Sequence, residues 1–296
     1  MESATVPQVD NSEPVRLASM SRRRIAGRIL AHAVLIGIGV FYLMPLVWLI
    51  STSLKATRQI FVYPPEWIPN PVIWRNYVDM FTYAPFHRYA MNTALVVILN
   101  LFGTIFSCSL VAYGFARFPH VRGNRVLFIV MLSTMMLPYM VWLIPLYIVY
   151  SKIGWVDTFL PLIVPSFFGV PLFIFLLRQF LMTVPQELGD AARIDGCSHL
   201  QTFFRVMMPL IKPALATVAI FTFINHWNDF LGPLIFLQSP SKFTIAIGLR
   251  VFQTVHSTKW GLLMAASTTA LLPVIIVFFF AQRQFIQGIT LTGLKG

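Results

Sequence analysis

Asn225, His226, Asn228 and Asp229 stand together beside Trp227, in a segment that is otherwise apolar from about Ala214 to Leu237. Amide, imidazole and carboxylate groups in such a run can line a path for polar cargo, exchange protons, or bond a neighbouring helix. A charge at the centre of a membrane helix costs roughly 2.5–3.5 kcal/mol on insertion scales, so these groups usually face a cavity or a partner. Amides and a carboxylate next to an indole suit an uncharged, hydroxyl-rich ligand such as a sugar. The plainer alternative is an Asp229 that is solvated near the interface or packed on another helix. A second polar cluster comprises Glu187, Asp190, Ala191, Ala192, Asp195 and Gly196, between two strongly apolar segments. Its carboxylates can pair with basic groups on a partner, its alanines permit close approach, and Leu188, Ile194 and Leu200 add apolar contact. The plainer alternative is a pair of interfacial helices that only connects two spans.

Other chemistry is missing. The sequence contains no Gly-x-x-x-x-Gly-Lys-Ser/Thr phosphate loop, no His-Glu-x-x-His and no Gly-x-Ser-x-Gly. Nothing in it can act as an ATPase, and no metal site is expected. Cys108 lies in an apolar run and Cys197 in the polar loop, which argues against a disulfide. His32, His199 and His256 have no ligand spacing, and Met135-Met136 reads as packing.

The elements that must position these residues are membrane helices. Of 296 residues, 57% are hydrophobic and 11% charged, with a mean hydropathy of +0.74. Soluble domains carry about 25% charged residues, so this chain cannot cover a water-soluble globule. A spanning helix needs about 20 apolar residues. Six runs qualify, at about 29–54, 89–115, 126–150, 159–181, 214–237 and 262–280. Pro138 and Pro145 predict kinks in the third, and the fourth contains Pro161, Pro165 and Pro171. Residues 1–20 read as a disordered tail. Residues 55–89, with Pro64, Pro65, Pro69 and Pro71 and with Trp67, Trp74 and Tyr77, read as a sizeable ordered loop at the interface. Asn92 and Asn100 suggest hydrogen bonds between helices, and Phe278-Phe279-Phe280 reads as lipid-facing.

The net charge of +12 is spread over short loops, with no basic helix face, so nucleic acid is not a partner. With both termini in the cytoplasm, fourteen Lys and Arg fall inside and eight outside. That bias sets the orientation and places the 183–212 loop in the cytoplasm. Thr183 and Gln186, and again Ser198 and Gln201, have capping-box spacing. Gly196 can accept the positive φ that ends a helix. The loop therefore reads as helix, glycine bend, helix, leading through Pro209 and Pro213 into the fifth span.

This loop resembles the EAA motif of permease subunits of ATP-binding-cassette importers. The family pattern is Glu-Ala-Ala, three residues, Gly, nine residues, Ile-x-Leu-Pro. Here it reads Asp190-Ala191-Ala192, then Gly196, then Val206, Met208 and Pro209. Asp190 is one methylene shorter than the usual Glu. Ala192 to Gly196, Trp227-Asn228-Asp229-Phe230-Leu231 and the ending from Gln282 to Gly296 are similar to maltose-type carbohydrate permeases, of the second-permease type. The resemblance covers about 29–296. It implies an all-α, polytopic importer-permease (MetI-like) bundle of six transmembrane helices. Cytoplasmic tails at 1–28 and 283–296 would flank a transmembrane domain at 29–282, with its coupling loop at about 183–212.

Functionally, the resemblance implies a non-catalytic permease of a bacterial or archaeal cytoplasmic membrane. Its partners would be a second homologous permease, two ATPase subunits, an extracytoplasmic solute-binding protein, membrane lipid and a carbohydrate cargo. The chain itself would hold no cofactor, since ATP-Mg binds the partner. Glu187, Asp190, Ala191, Ala192, Asp195 and Gly196 would dock on the ATPase, and the tail from Gln287 to Gly296 would reach it too. Asn225, Trp227, Asn228 and Asp229 are the expected cargo-path residues. The competing expectation is an ion-coupled secondary transporter using Asp229 and His226.

Overall fold

A computed structural model describes the backbone of residues 13–253 and 258–293 and the side chains of 27–253 and 258–282. Among these residues the chain is helical, apart from one isolated bridge between Gln253 and Thr258. Four stretches are long and apolar enough to cross a membrane: Gly27–Ser53, Phe86–Arg117, Leu160–Thr183 and Trp260–Gln282. Two bent helix pairs bring the total to six if each counts as one span. They are Asn124–Met136 with Tyr139–Lys152, and His199–Leu210 with Lys212–Trp227.

Proline and glycine explain the breaks. The third span turns by 96° at Leu137-Pro138. A residue before proline is pushed out of the helical region, and Leu137 is extended, with φ −87° and ψ 117°. Pro145, also expected to kink, stays inside the helix Tyr139–Lys152. The fourth span is a short helix, a 3-10 turn and then Pro171–Thr183, each with proline in its first turn. The fifth expected span is not continuous. Lys212–Trp227 ends at Asn228, and Leu231–Phe236 follows as a separate helix. The expected disordered tail is corrected over 13–20, where the first helix already runs from Glu13, while 1–12 lie outside the described residues. First and last helices run through the expected domain boundaries near 28 and 282.

Span two is the central column, packed on spans four and five, and span six packs on spans five and one. At one end Cys108, Ala112, Tyr113, Leu177, Leu181, Phe203, Met207, Ile211 and Val218 form a buried cluster. It joins spans two, four and five to the loop between the last two. At the other end Phe86, Tyr89, Trp227, Ile245, Phe252 and Ala266 form a second cluster. The first span exposes most of its apolar side chains, including Phe41 and Tyr42, and Phe278, Phe279 and Phe280 are exposed as well. Lipid is the solvent that such faces require.

The 55–89 segment is ordered, as its composition predicts. Asn76 donates to the carbonyls of Ser53 at 2.8 Å and Lys55 at 3.1 Å. Ser51 and Gln59 donate to the carbonyls of Trp67 and Asn70. Lys55 is buried with its Nζ 4.1 Å from the Trp48 ring centroid. Burial lowers its pKa, and the charge of Glu66 opposes that shift. At the same end Asp157 clasps two loops. It accepts from Ser239 Oγ at 2.5 Å, Ser239 N at 2.9 Å, Gln238 N at 3.0 Å and Lys242 Nζ at 3.1 Å. The Ser239 hydroxyl and the two backbone amides hold its carboxyl well below the usual carboxylate range, with Lys242 adding to them.

Candidate functional site

The loop between the fourth and fifth spans forms a two-helix elbow. Glu187–Ile194 is the first arm, with Glu187 and Asp190 in its first turn and Arg193 in its last. Both charge placements suit the helix dipole. The arm ends in a Schellman motif. Cys197 N donates to Ala192 O at 2.9 Å, Gly196 N donates to Arg193 O at 3.0 Å, and Gly196 has φ +84°. The second arm starts with the expected capping box. Ser198 N donates to Gln201 Oε1 at 2.8 Å, and Gln201 N donates to Ser198 Oγ at 3.3 Å. The box expected at Thr183 does not form. Thr183 closes the preceding helix, and its hydroxyl bonds Phe180 O at 2.7 Å.

A π-helical turn, Phe203–Met207, continues the second arm. Pro209 lacks the amide that Arg205 would otherwise receive four residues on. The chain then bends by 81° into Lys212–Trp227. Glu187, Asp190, Ala191, Asp195 and Gly196 are exposed, as are Leu188, Ile194 and Leu200, Ile194 at 86%. Ala192 departs from expectation. It is buried within its own chain, one turn from Gly189, where a Cβ would lie 3.3 Å from Met207 Cε. The arm approaches the π-turn at Gly189.

Arg117, which the sequence offered only as a topology charge, fastens the elbow. Its Nη2 donates to Val184 O at 3.0 Å and lies 3.4 Å from Met207 Sδ. The end of span two is thereby tied to both sides of the loop. A cavity of about 440 Å³ lies there, lined by Arg117, His120, Asp190, Arg193 and His199 among others. Among the described residues Asp190 makes no ion pair within 4 Å, since the pairs present are Arg75–Asp79 and Lys242–Asp157.

The polar cluster around Trp227 is divided. Asn225 and Asp229, with His226, line a cavity of about 920 Å³ between spans two to five. Asp229 Oδ1 accepts from Gly232 N at 3.2 Å. A Cβ at Gly232 would meet Asp229 Oδ2 at 2.7 Å, so a larger residue there would displace that carboxylate. Trp227 turns the other way. It is buried, stacks on Phe223 with centroids 5.4 Å apart, and donates from Nε1 to Ala270 O at 3.0 Å. Asn228 Nδ2 bonds back to Ile224 O at 2.9 Å, and it borders a separate cavity together with Trp227. These two therefore do not join Asn225 and Asp229. Asn100 bonds another span, as expected, whereas Asn92 bonds the short segment after the fifth span. Asn100 donates to Leu162 O at 2.9 Å, and Asn92 to Ser241 O and Phe243 O at 3.0 Å. The side chains of the expected tail contact from Gln287 to Gly296, and His256, lie outside the described residues.

Residues 108–291 match the family described as binding-protein-dependent transport system inner membrane component. The chain belongs to this family. The permease is 33% identical over 262 residues to the arabinooligosaccharides transport system permease protein AraQ of Bacillus subtilis (strain 168), covering 88% of this chain and 92% of the relative. It is 31% identical over 278 residues to the diacetylchitobiose uptake system permease protein NgcG of Streptomyces coelicolor, covering 93% of this chain and 91% of the relative. Its fold is that of a chain in the crystal structure of a bacterial ABC transporter involved in import of the acidic polysaccharide alginate. The TM-score is 0.77 at 23% identity, over 94% of this chain and 99% of that one. The permease is thus a multi-pass, non-catalytic membrane component.

Proposed function

We propose that this chain is one of two homologous permeases in an ATP-driven carbohydrate importer of a bacterial or archaeal cytoplasmic membrane. An extracytoplasmic binding protein delivers the cargo, and two ATPase subunits supply the work, holding ATP-Mg between them. The chain itself binds no cofactor. Both termini face the cytoplasm, with tails at 1–28 and 283–296 flanking the transmembrane domain. The oligosaccharides named for the similar permeases support a carbohydrate cargo.

The observation that carries this reading is the elbow. Glu187, Asp190, Ala191, Asp195 and Gly196 face outward on a helix whose end is fixed by a Schellman motif, beside an exposed Ile194. A rigid arm of this kind can dock in an ATPase cleft and move the spans when the ATPases close. Ala192 supports the arm from within, while Asn225 and Asp229 line the path. Reconstitution with the neighbouring-gene ATPase and binding protein tests it. Uptake should require ATP and survive dissipation of ion gradients. Uptake by this chain alone, driven by protons or sodium, would favour the ion-coupled reading built on Asp229 and His226.

A further inference from the structure

The large cavity holds three polar oxygens with no hydrogen-bond partner: Asn100 Oδ1, Thr104 Oγ1 and Thr222 Oγ1. Asn100 and Thr104 are one turn apart on span two, and Thr222 lies on the span-five helix packed against it. Four other buried or half-buried threonines inside described helices return their hydroxyl to the carbonyl four residues back. Thr93, Thr217, Thr268 and Thr269 all do so, at 2.8–3.0 Å. Thr104 and Thr222 do not, and the other unpaired threonines, Thr52 and Thr244, sit at helix ends. Asn100 has already committed its amide nitrogen to Val96 O and Leu162 O, leaving Oδ1 as a free acceptor. Buried polar atoms are almost always bonded. A cluster of exceptions on one cavity wall marks groups that acquire partners in another state.

Charge narrows the partner. Among the described residues no lysine or arginine lines this cavity, His226 is its one imidazole and Asp229 its one carboxylate. An anionic cargo would approach Asp229 in a low-dielectric setting with no lysine or arginine among those residues to offset it.

We propose that Asn100, Thr104 and Thr222, with Asn225, form a hydroxyl-binding niche for an uncharged polyhydroxylated cargo, and that Asp229 excludes anionic sugars from it. The inference rests on the carbohydrate-importer reading above. The three oxygens are covered in this conformation, so they meet cargo when span five shifts against span two during alternating access. An acceptor beside two hydroxyls, each able to donate and accept, matches the hydroxyl pattern of a neutral sugar.

The test uses the full complex in vesicles with tritiated arabinotriose and diacetylchitobiose as neutral probes, trimannuronate as the anionic one, and a wider oligosaccharide panel beside them. Thr104→Val with Thr222→Val should raise KM for a transported neutral sugar about tenfold, the value of two lost hydrogen bonds. The matching serine variants should stay near wild type. Asp229→Asn should admit trimannuronate. Copurification with the ATPases separates misfolding from loss of the niche, and if the double variant fails to assemble, each single valine variant should still show about a threefold rise. A wild-type KM in assembled valine variants overturns the niche, and wild-type uptake of trimannuronate overturns the charge selection. If the wild-type complex takes up no sugar from the panel, the carbohydrate reading fails first and takes this inference with it.

Discussion

Replacing Gly196 tests the mechanical role proposed for the elbow. At this position φ is +84° and a Cβ would meet nothing within 4 Å. Any side chain therefore fits sterically, and the penalty comes from the backbone alone. An L-residue in the left-handed region costs about 1–2 kcal/mol, while asparagine enters it far more readily. Relative to a helix end that continues differently, 1–2 kcal/mol is about a 5- to 30-fold loss of the population with both Schellman bonds made. Valine, being β-branched, should fare worse than alanine. The expected order of defect is therefore Gly196→Asn, then Gly196→Ala, then Gly196→Val. ATPase copurification and uptake per ATP hydrolysed measure it. Steric obstruction of a docking cleft would instead rank variants by side-chain volume, so that asparagine and valine fail alike. That ranking, or wild-type coupling in Gly196→Val, would refute the backbone argument.

Arg117→Met should keep the spans inserted but lower uptake per ATP, because a charge-assisted bond of about 1.5–3 kcal/mol to Val184 O is lost; Arg117→Lys should recover part of it. Trp227→Phe should destabilise the assembled complex by about 1 kcal/mol through the lost bond to Ala270 O. It should leave cargo KM unchanged, and a raised KM at unchanged melting temperature would return Trp227 to the path. Asp157→Asn should lower the melting temperature by loosening the clasp to Ser239 and Lys242. Because the folded carboxyl titrates below its ordinary value near 3.9, its contribution is fully present above about pH 4 and fades only as pH falls further. The gap between wild type and variant should thus be flat from pH 5 to 8 and narrow only under strong acid.

The sequence carried the apolar runs and the loop motif, because hydropathy and glycine or proline punctuation are local signals. The Gly196 bend and the Ser198–Gln201 box depend on residues three or four apart, and both formed. Thr183 has the same spacing but ends its helix instead. Its hydroxyl has a closer acceptor in Phe180 O, and Val184 turns extended before Pro185. What spacing could not supply was the direction of a side chain within the bundle. Asn225, Trp227, Asn228 and Asp229 fall within five positions, yet one helix turn sends Trp227 to the span-six core and Asn225 and Asp229 to the cavity. The burial of Ala192 within its own chain was hidden from spacing for the same reason. A small residue permits close approach of any surface, and here the surface is the chain's own.

Arg117 shows how an outward-facing elbow can move buried helices. If the elbow docks as proposed, force applied at Glu187 or Ile194 would reach Met207 where Gly189 approaches it. From Met207 and Val184 it would pass to span two through one guanidinium, and to spans four and five through the cluster of Leu181, Phe203, Ile211 and Val218. Interiors packed this tightly shift as units and do not absorb displacement. Span five is the weak link, since it stops at Asn228 before resuming at Leu231. That break lies beside Asp229 and the large cavity, so under the proposed mechanism motion delivered at the elbow would reach the polar wall through a helix interruption.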